Sequence, residues 1–544
     1  MELQQRSLTV LDWPVVLEAL ARHARTLRGA SLARQTDLAV DAEQVRERYE
    51  AVAEVDTLLA EGEPLPIGAV SEIEPELRRA ERGGGLDGGE LRAVGSCLLA
   101  LAHLRVFVEE RAARLPRLHR LASPIEVDAE LSGLLARSFD DEGRLSEREY
   151  PELGELRRNA EALEARIQRV LQDILGSEEM ASSLQDRFVT QREGRFVIPV
   201  RAEKRKGLGI VHGRSQSGET VFVEPAAVVE LHNERNLLLA DLRRLEERIL
   251  ATLSRFVGRL SAPVLRSLDA AAELDLAVAR AGLGASWRGV HPKVGEQGRI
   301  DLRAARHPVL VLRGLDVVAN DLLLDAEHPG LVLSGPNAGG KTVALKTLGL
   351  CALLTRTGVP LPAAEGSRVD LFDPVVADIG DAQTVEGDLS TFSGHVAILA
   401  ELLTLAARPR PWPALVLLDE VGMGTDPAQG AALARAVLES LVDCGARVAA
   451  TTHFLQLKAL AAVDRRFQVA AVAFEQGRPT WRVLYGAAGE SHALEIARRM
   501  ALPGPVLDRA QALLSSSERD LGELLGRSSA AGPTGCRQRA PTAM

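Results

Sequence analysis

From Leu153 onward, apolar residues recur at Leu156, Ala160, Leu163, Ile167, Val170 and Ile174, in alternating steps of three and four. That spacing predicts a coiled-coil seam on a helix of roughly 33 Å, at about 1.5 Å per residue. A second seam runs through Leu238, Leu242, Leu245, Ile249, Leu253 and Phe256. Two such helices around a compact insert predict an antiparallel arm with the insert at its tip. The insert has a different pattern. Residues 195–200, 210–212 and 220–224 read as short strands, punctuated by Gly194, Gly207, Gly209, Gly213 and Gly218. Upstream, residues 1–150 read as helices, for example 15–24 and 90–110, broken by Pro64, Pro66 and the run Gly83, Gly84, Gly85. After Gly298 strands alternate with helices to about Leu514, which predicts a parallel-sheet domain. The last stretch, 515–544, begins as a charged helix and loses all apolar periodicity, so its tail should be disordered.

The fold class that follows is multidomain, α and α/β. A helical core or lever (1–150) precedes a coiled-coil lever (151–295) with a small β-rich clamp at about 182–228. An α/β domain (296–514) and the short tail come last. At 544 residues there is room for several domains, and 46% hydrophobic with 26% charged residues suits a core-forming protein. Aromatics are only 3%, so the core must be mostly aliphatic. The four cysteines, Cys97, Cys351, Cys444 and Cys536, show no paired spacing, which argues against a disulfide framework and for a reducing compartment. The first residues lack the basic and apolar regions of a signal peptide, and no run of 18 apolar residues occurs. The expectation is a cytoplasmic protein with no membrane partner.

A net charge of −10 excludes uniform coating of a polyanion, so any nucleic-acid surface must be local. The insert supplies one. Arg187, Arg192, Arg195, Arg201, Lys204, Arg205, Lys206 and Arg214 face only Glu193 and Glu203, a local net of +6. Cations gathered at the end of an arm, against the sign of the whole chain, point to phosphate contact.

The densest chemistry lies in the α/β region. Gly335, Pro336, Asn337, Ala338, Gly339, Gly340, Lys341 and Thr342 match GxxxxGK[ST], after an apolar strand at 331–334 and before a helix. Glycines let backbone N–H groups approach phosphates, and the helix start adds positive potential. Lys341 should reach the β- and γ-phosphates, and Thr342 should ligate Mg²⁺. Some 78 residues on, the apolar run 415–418 delivers Asp419 and Glu420. Asp419 is placed to hold Mg²⁺ through water, and Glu420 to orient or deprotonate the attacking water. The strand at 447–452 ends in His453, a candidate γ-phosphate sensor at the same sheet edge. No Asn-Lys-x-Asp follows it, which favours ATP over GTP. Between the two motifs, the polar stretch 380–395 contains Ser393, Gly394 and His395.

The ordered set GPNAGGKT, DIGDAQTVEGDLSTFSGH, LVLLDEVGMGTDP and ATTHFLQLKAL resembles the P-loop, ABC-like ATPase domain of MutS proteins. Ala338 and the run from Gly424 to Pro427 look like the type 2 branch. REGRFVIPVRAEKRKGLGIVHGRSQSGETVFVEP resembles that branch's clamp, and YGAAGESHALEIARRMALP its post-ATPase motif. The resemblance implies a homodimer in which Ser393 and Gly394 complete the partner's ATP site. It also implies partners: branched DNA, for limiting homologous recombination, or collided ribosomes and their rRNA. Family endonuclease activity is carried by a C-terminal Smr domain, which this chain is expected to lack. Mismatch repair is the disfavoured alternative, on the expectation that the chain starts directly in core helices without a mismatch-reading domain. Phe107 and Glu109 match its Phe-x-Glu wedge by letters but lie inside a helical run. A transporter-type ATPase subunit suits neither the arm nor the basic tip.

Overall fold

The computed structural model describes residues 2–140, 142–335, 340–380, 391–475, 478–486, 498 and 502–513. Two compact units interleave along the sequence. One comprises residues 69–105 and 124–269, the other 1–68, 106–123 and the chain from 270 on.

The first of these carries the two seam helices, Pro151–Gly176 and Ala226–Arg259. Arg157 pairs with Glu246 at 2.9 Å and Arg235 with Glu164 at 2.6 Å, so partners run in opposite directions and the helices are antiparallel. Leu153, Ala160 and Ile167 are buried as the seam requires. Beyond Ile167 burial shifts to Leu171 and Leu175, because there the helix meets a sheet instead of its partner helix. At the other end of the return helix Leu253, Ser254 and Val257 are buried, with Phe256 only half-buried. The Ser254 hydroxyl accepts from the Leu86 N–H at 2.9 Å, so a different face is covered there.

Between the helices lies a four-stranded antiparallel sheet: β1 (Thr190–Arg192), β2 (Arg195–Arg201), β3 (Gly209–Arg214) and β4 (Thr220–Pro225), in the order β1-β2-β4-β3. Three of these strands match the expected ones, and β1 is additional. Arg192 pairs with Arg195 across a two-residue turn. Glu193 and Gly194 both have positive φ, 48° and 76°, the form that matches strand twist. One face of the sheet packs Ile198, Val200, Val221 and Val223 onto Ile167, Leu171 and Leu175.

The other unit contains a three-stranded sheet, β6-β5-β8, made of β5 (Ile300–Ala305), β6 (Asn320–Leu324) and β8 (Arg368–Val369). It also contains a six-stranded sheet built from β7 (Gly330–Ser334), β9 (Val375–Asp378), β10 (Leu415–Leu418), β11 (Arg447–Thr451), β12 (Phe467–Glu475) and β13 (Arg478–Tyr485). The order is β13-β12-β7-β11-β10-β9, with only the β12–β13 pair antiparallel. Its central strands are continuous apolar runs because both faces are covered. Leu331, Leu333, Leu415, Leu417 and Ala449 join one core cluster; Val332, Val416, Leu418, Val448 and Ala450 join the other. The helix Lys341–Thr357 and the N-terminal residues Leu11, Trp13, Val16 and Leu20 fill the first. The helices Thr391–Ala406 and Pro427–Asp443 fill the second.

One described helix, Gly88–Glu109, is long and apolar enough to cross a membrane by length and composition alone. Leu91, Val94, Leu98 and Leu101 are buried at helical spacing along it, as in a core helix. Phe107 lies on this helix with the Arg111 guanidinium 4.0 Å from its ring centroid.

Candidate functional site

Strands β9, β10, β11 and β7 run parallel, so their C-terminal ends share one edge of the sheet. Ligand chemistry in open parallel sheets collects at that edge. β7 leads through Gly335 and Gly340 into the helix that begins with Lys341 and Thr342. β10 ends before Asp419 and Glu420, β11 before Thr452 and His453, and β9 at Asp378. Pro336, Asn337, Ala338 and Gly339 lie outside the described residues.

The structure brings Lys341, Thr342, Asp419, Glu420 and His453 together. The Thr342 hydroxyl donates to Asp419 Oδ2 at 2.8 Å, and that pair offers only hard oxygen ligands, which suits Mg²⁺. The other Asp419 oxygen accepts from the Thr451 hydroxyl, whose own oxygen accepts from the Glu420 N–H at 2.8 Å. Thr451 is fully buried. It is a positioning residue that the motif reading missed, since a threonine at a strand end carries no pattern of its own. Glu420 has φ 51°, a left-handed conformation that costs about 1–2 kcal/mol for a residue with a Cβ. Its bond to Thr451 helps to hold it there.

Lys341 is 2% exposed and its Nζ lies 2.8 Å from His453 Nε2. Burial pushes its amine down to about 8, against the pull of Glu420 and Asp419. Burial, and then the neighbouring Lys341 charge, push the His453 imidazole below its ordinary value. The ammonium therefore donates to a neutral ring. Glu420 Oε1 stands 3.6 Å from the same His453 nitrogen.

Residues 381–390 lie outside the described residues; the helix Thr391–Ala406 follows them. Ser393 is exposed and Gly394 buried near its start. His395 Nδ1 lies 3.0 Å from Asp378 Oδ2 at the end of β9.

A cavity of about 210 Å³ adjoins Gly340, lined among others by Val317, Val318, Asn320, Thr347 and Trp481. Asn320 donates to the Trp481 carbonyl at 2.9 Å and accepts from the Val483 N–H at 2.7 Å, which ties β6 to β13. Trp481 is 53% exposed with φ 58°, so an open indole on a strained backbone flanks the cavity. Sequence reasoning gave it no role. Its one available signal is that it is among only four tryptophans in the chain.

In the insert, Arg187, Arg192, Arg201, Lys204, Arg205, Lys206 and Arg214 are exposed. Arg195 is committed inward. Its guanidinium donates to Glu224 at 2.6 Å and to Asn233 at 2.7 Å. Glu224 is fully buried and also accepts from His212 at 2.7 Å and His232 at 2.6 Å. Burial pushes its carboxyl up, but the bonds from His212, Arg195 and His232 outweigh burial and hold it below the ordinary range. The Phe196 N–H donates to His232 Nε2 at 3.1 Å, so His232 is neutral with its proton on Nδ1. Burial lowers its pKa, consistent with that tautomer.

Residues 331–518 match the family described as MutS domain V. A protein named Endonuclease MutS2 from Pelotomaculum thermopropionicum is 39% identical over 530 residues, covering 96% of this chain and 66% of that protein. Its namesake from an Anaeromyxobacter species is 38% identical over 528 residues, covering 95% and 65%. A third, from Synechocystis, is 36% identical over 550 residues, covering 96% and 66%. The chain thus spans just under two thirds of the length of these relatives.

Proposed function

The chain belongs to the MutS2 family, and from that premise we propose that it is a Mg²⁺-dependent ATPase which, as a homodimer, uses ATP turnover to control its grip on nucleic acid. The observation that carries the reading is the convergence of Lys341, Thr342, Asp419, Glu420 and His453 at one sheet edge, linked by bonds of 2.8 Å from Lys341 to His453 and from Thr342 to Asp419. Thr342 and Asp419 would hold Mg²⁺, which when bound offsets phosphate charge. Lys341 neutralises the β- and γ-phosphates, and His453 reports on the γ-phosphate. Glu420 takes or orients the proton of the attacking water. The purine is assigned to the cavity beside Trp481, where a flat ring would stack on the indole. Ser393 and Gly394 would complete the partner's site.

The exposed cations of the insert are the surface proposed for the polyanion. Branched DNA is the proposed ligand, gripped to restrain recombination. Ribosomal RNA on a stalled ribosome is the other substrate of the same chemistry.

The test is ATP binding and hydrolysis by the wild type, Lys341→Ala and Glu420→Ala. Lys341→Ala should lose binding, and Glu420→Ala should bind ATP and stall. Wild-type turnover by Glu420→Ala would remove the assigned base. Nucleic acid co-purifying with the stalled variant then separates the two ligands: junction DNA supports the first, rRNA the second.

A further inference from the structure

We infer that His395, held by Asp378, is the positioning residue that presents Ser393 and Gly394 to the partner's nucleotide. The inference rests on the composite-site reading above and adds the device that makes it work. The helix Thr391–Ala406 is anchored to the core by Ile398, Leu399 and Leu402, all well beyond its first turn. Over residues 393–397, Ser393 and Ala397 are exposed, His395 and Val396 half-buried and Gly394 buried. Among the described contacts, His395 Nδ1 to Asp378 Oδ2, at 3.0 Å, reaches from that turn to the end of β9. The Asp378 side chain is 9% exposed and that of His395 26%, so water competes little for the bond. The hydrogen bond to Asp378 raises the imidazole pKa, against burial, which favours the charged, stronger form of the pair.

The anchor point matters as much as the bond. Asp378 is the last residue of β9, and its carbonyl accepts from the Asp419 N–H at 2.8 Å. The turn offered to the twin subunit is therefore tied to the strand end that carries this chain's own Mg²⁺-binding acid. One rigid edge fixes both halves of the chemistry. A loosened turn would leave the chain's own nucleotide binding intact and lower turnover at the partner's site, through misplacement of groups that must be positioned closely.

The experiment mixes two defective chains. His395→Leu removes the donor, and Lys341→Ala removes phosphate binding. Each homodimer should hydrolyse ATP at least about tenfold more slowly than the wild type. In an equimolar mixture half the dimers are mixed, and each contains one composite site with both Lys341 and His395 intact. About a quarter of wild-type turnover should return if the sites are shared across the two-fold axis. Ser393→Ala mixed with Lys341→Ala is run in parallel. Recovery in the serine mixture without recovery in the histidine mixture overturns the role of His395 and leaves the composite site standing. Recovery in neither overturns the composite site and this inference with it. His395→Asn keeps a donor where Nδ1 lies and should retain most of the activity. If the asparagine variant is folded and as slow as the leucine one, the bond to Asp378 is not what positions the turn.

Discussion

The Lys341 ammonium donates to the His453 ring nitrogen across 2.8 Å, so the proposed phosphate-binding amine and the candidate sensor are partners of each other. A ring that accepts from a cation cannot itself carry the second proton, and burial reinforces that neutrality. Phosphate oxygens would compete for the same ammonium, so nucleotide arrival would break one bond as it makes others. His453→Ala should keep nucleotide affinity within about threefold and lower turnover by about 10–100-fold. Isothermal titration together with steady-state hydrolysis separates the two. A loss of affinity with kcat unchanged would assign His453 to binding alone.

Thr451 offers a second test, because one hydroxyl serves both acids. It donates to Asp419 and accepts from the Glu420 N–H at 2.8 Å. Thr451→Val keeps the shape and leaves a backbone N–H and a carboxylate oxygen short of a partner, which costs about 1–3 kcal/mol. The melting temperature should fall and turnover should fall with it. Thr451→Ser, which restores the hydroxyl, should recover most of both. A valine variant with wild-type turnover would show that Glu420 needs no such support.

The loop after Glu420 depends on a close approach between two glycines. Gly422 has φ 83°, and a Cβ on it would stand 2.5 Å from the Gly430 carbonyl oxygen. Gly430 belongs to the helix Pro427–Asp443, whose first turn is capped by Asp426. Backbone meets backbone there, so no side chain can yield. Gly422→Ala should destabilise the protein by more than about 1 kcal/mol, and shift the loop that follows Glu420. Calorimetry checks the first consequence and turnover the second.

These cases show what a sequence carries and what it withholds. The parallel edge was legible because each strand is an apolar run and each ends in a residue with its own chemistry, as at Lys341, Asp419 and His453. The seam helices were legible because Leu153, Ala160 and Ile167 repeat at helical spacing. Thr451 and Trp481 were not legible, since their roles arise from neighbours brought in from other strands. Arg195 reads in sequence as one more cation of a basic run, and its pairing with Glu224 spans 29 positions. The interleaving of the two compact units was also hidden, because local pattern does not say which distant segments share a core.

The Glu224 cluster gives the insert a pH dependence whose sign can be worked out. The pKa values of both Glu224 and His232 are lowered in the folded protein. Groups with depressed folded values stabilise the fold above their unfolded values and lose that contribution as pH falls. His232 acts first, below about 6.5, and Glu224 only below about 4.3. Protonated His232 would also turn an N–H toward the Phe196 N–H that it now accepts from. Amide protection factors in β2 and β4 should therefore fall between pH 7.5 and 5.5, and His232→Gln should flatten that fall. Unchanged protection across the range would show that the cluster does not hold the sheet.

Arg195 and the exposed run 204–206 sit in the same basic stretch and should respond differently to removal. Lys204, Arg205 and Lys206 are exposed, whereas Arg195 bonds to buried Glu224 and to Asn233. If the exposed cations meet phosphates, replacing all three with alanine should weaken binding to duplex arms. The slope of log affinity against log salt should then fall by up to about 2.7, at about 0.9 per phosphate contact. Thermal stability should hardly change, since these side chains support nothing inside the sheet. Arg195→Ala should do the reverse: stability falls by about 2 kcal/mol through loss of a charged hydrogen bond, and the salt slope of the folded fraction stays put. A slope that moves with Arg195 and not with the triple variant would mean that the polyanion is gripped by a different face of the insert.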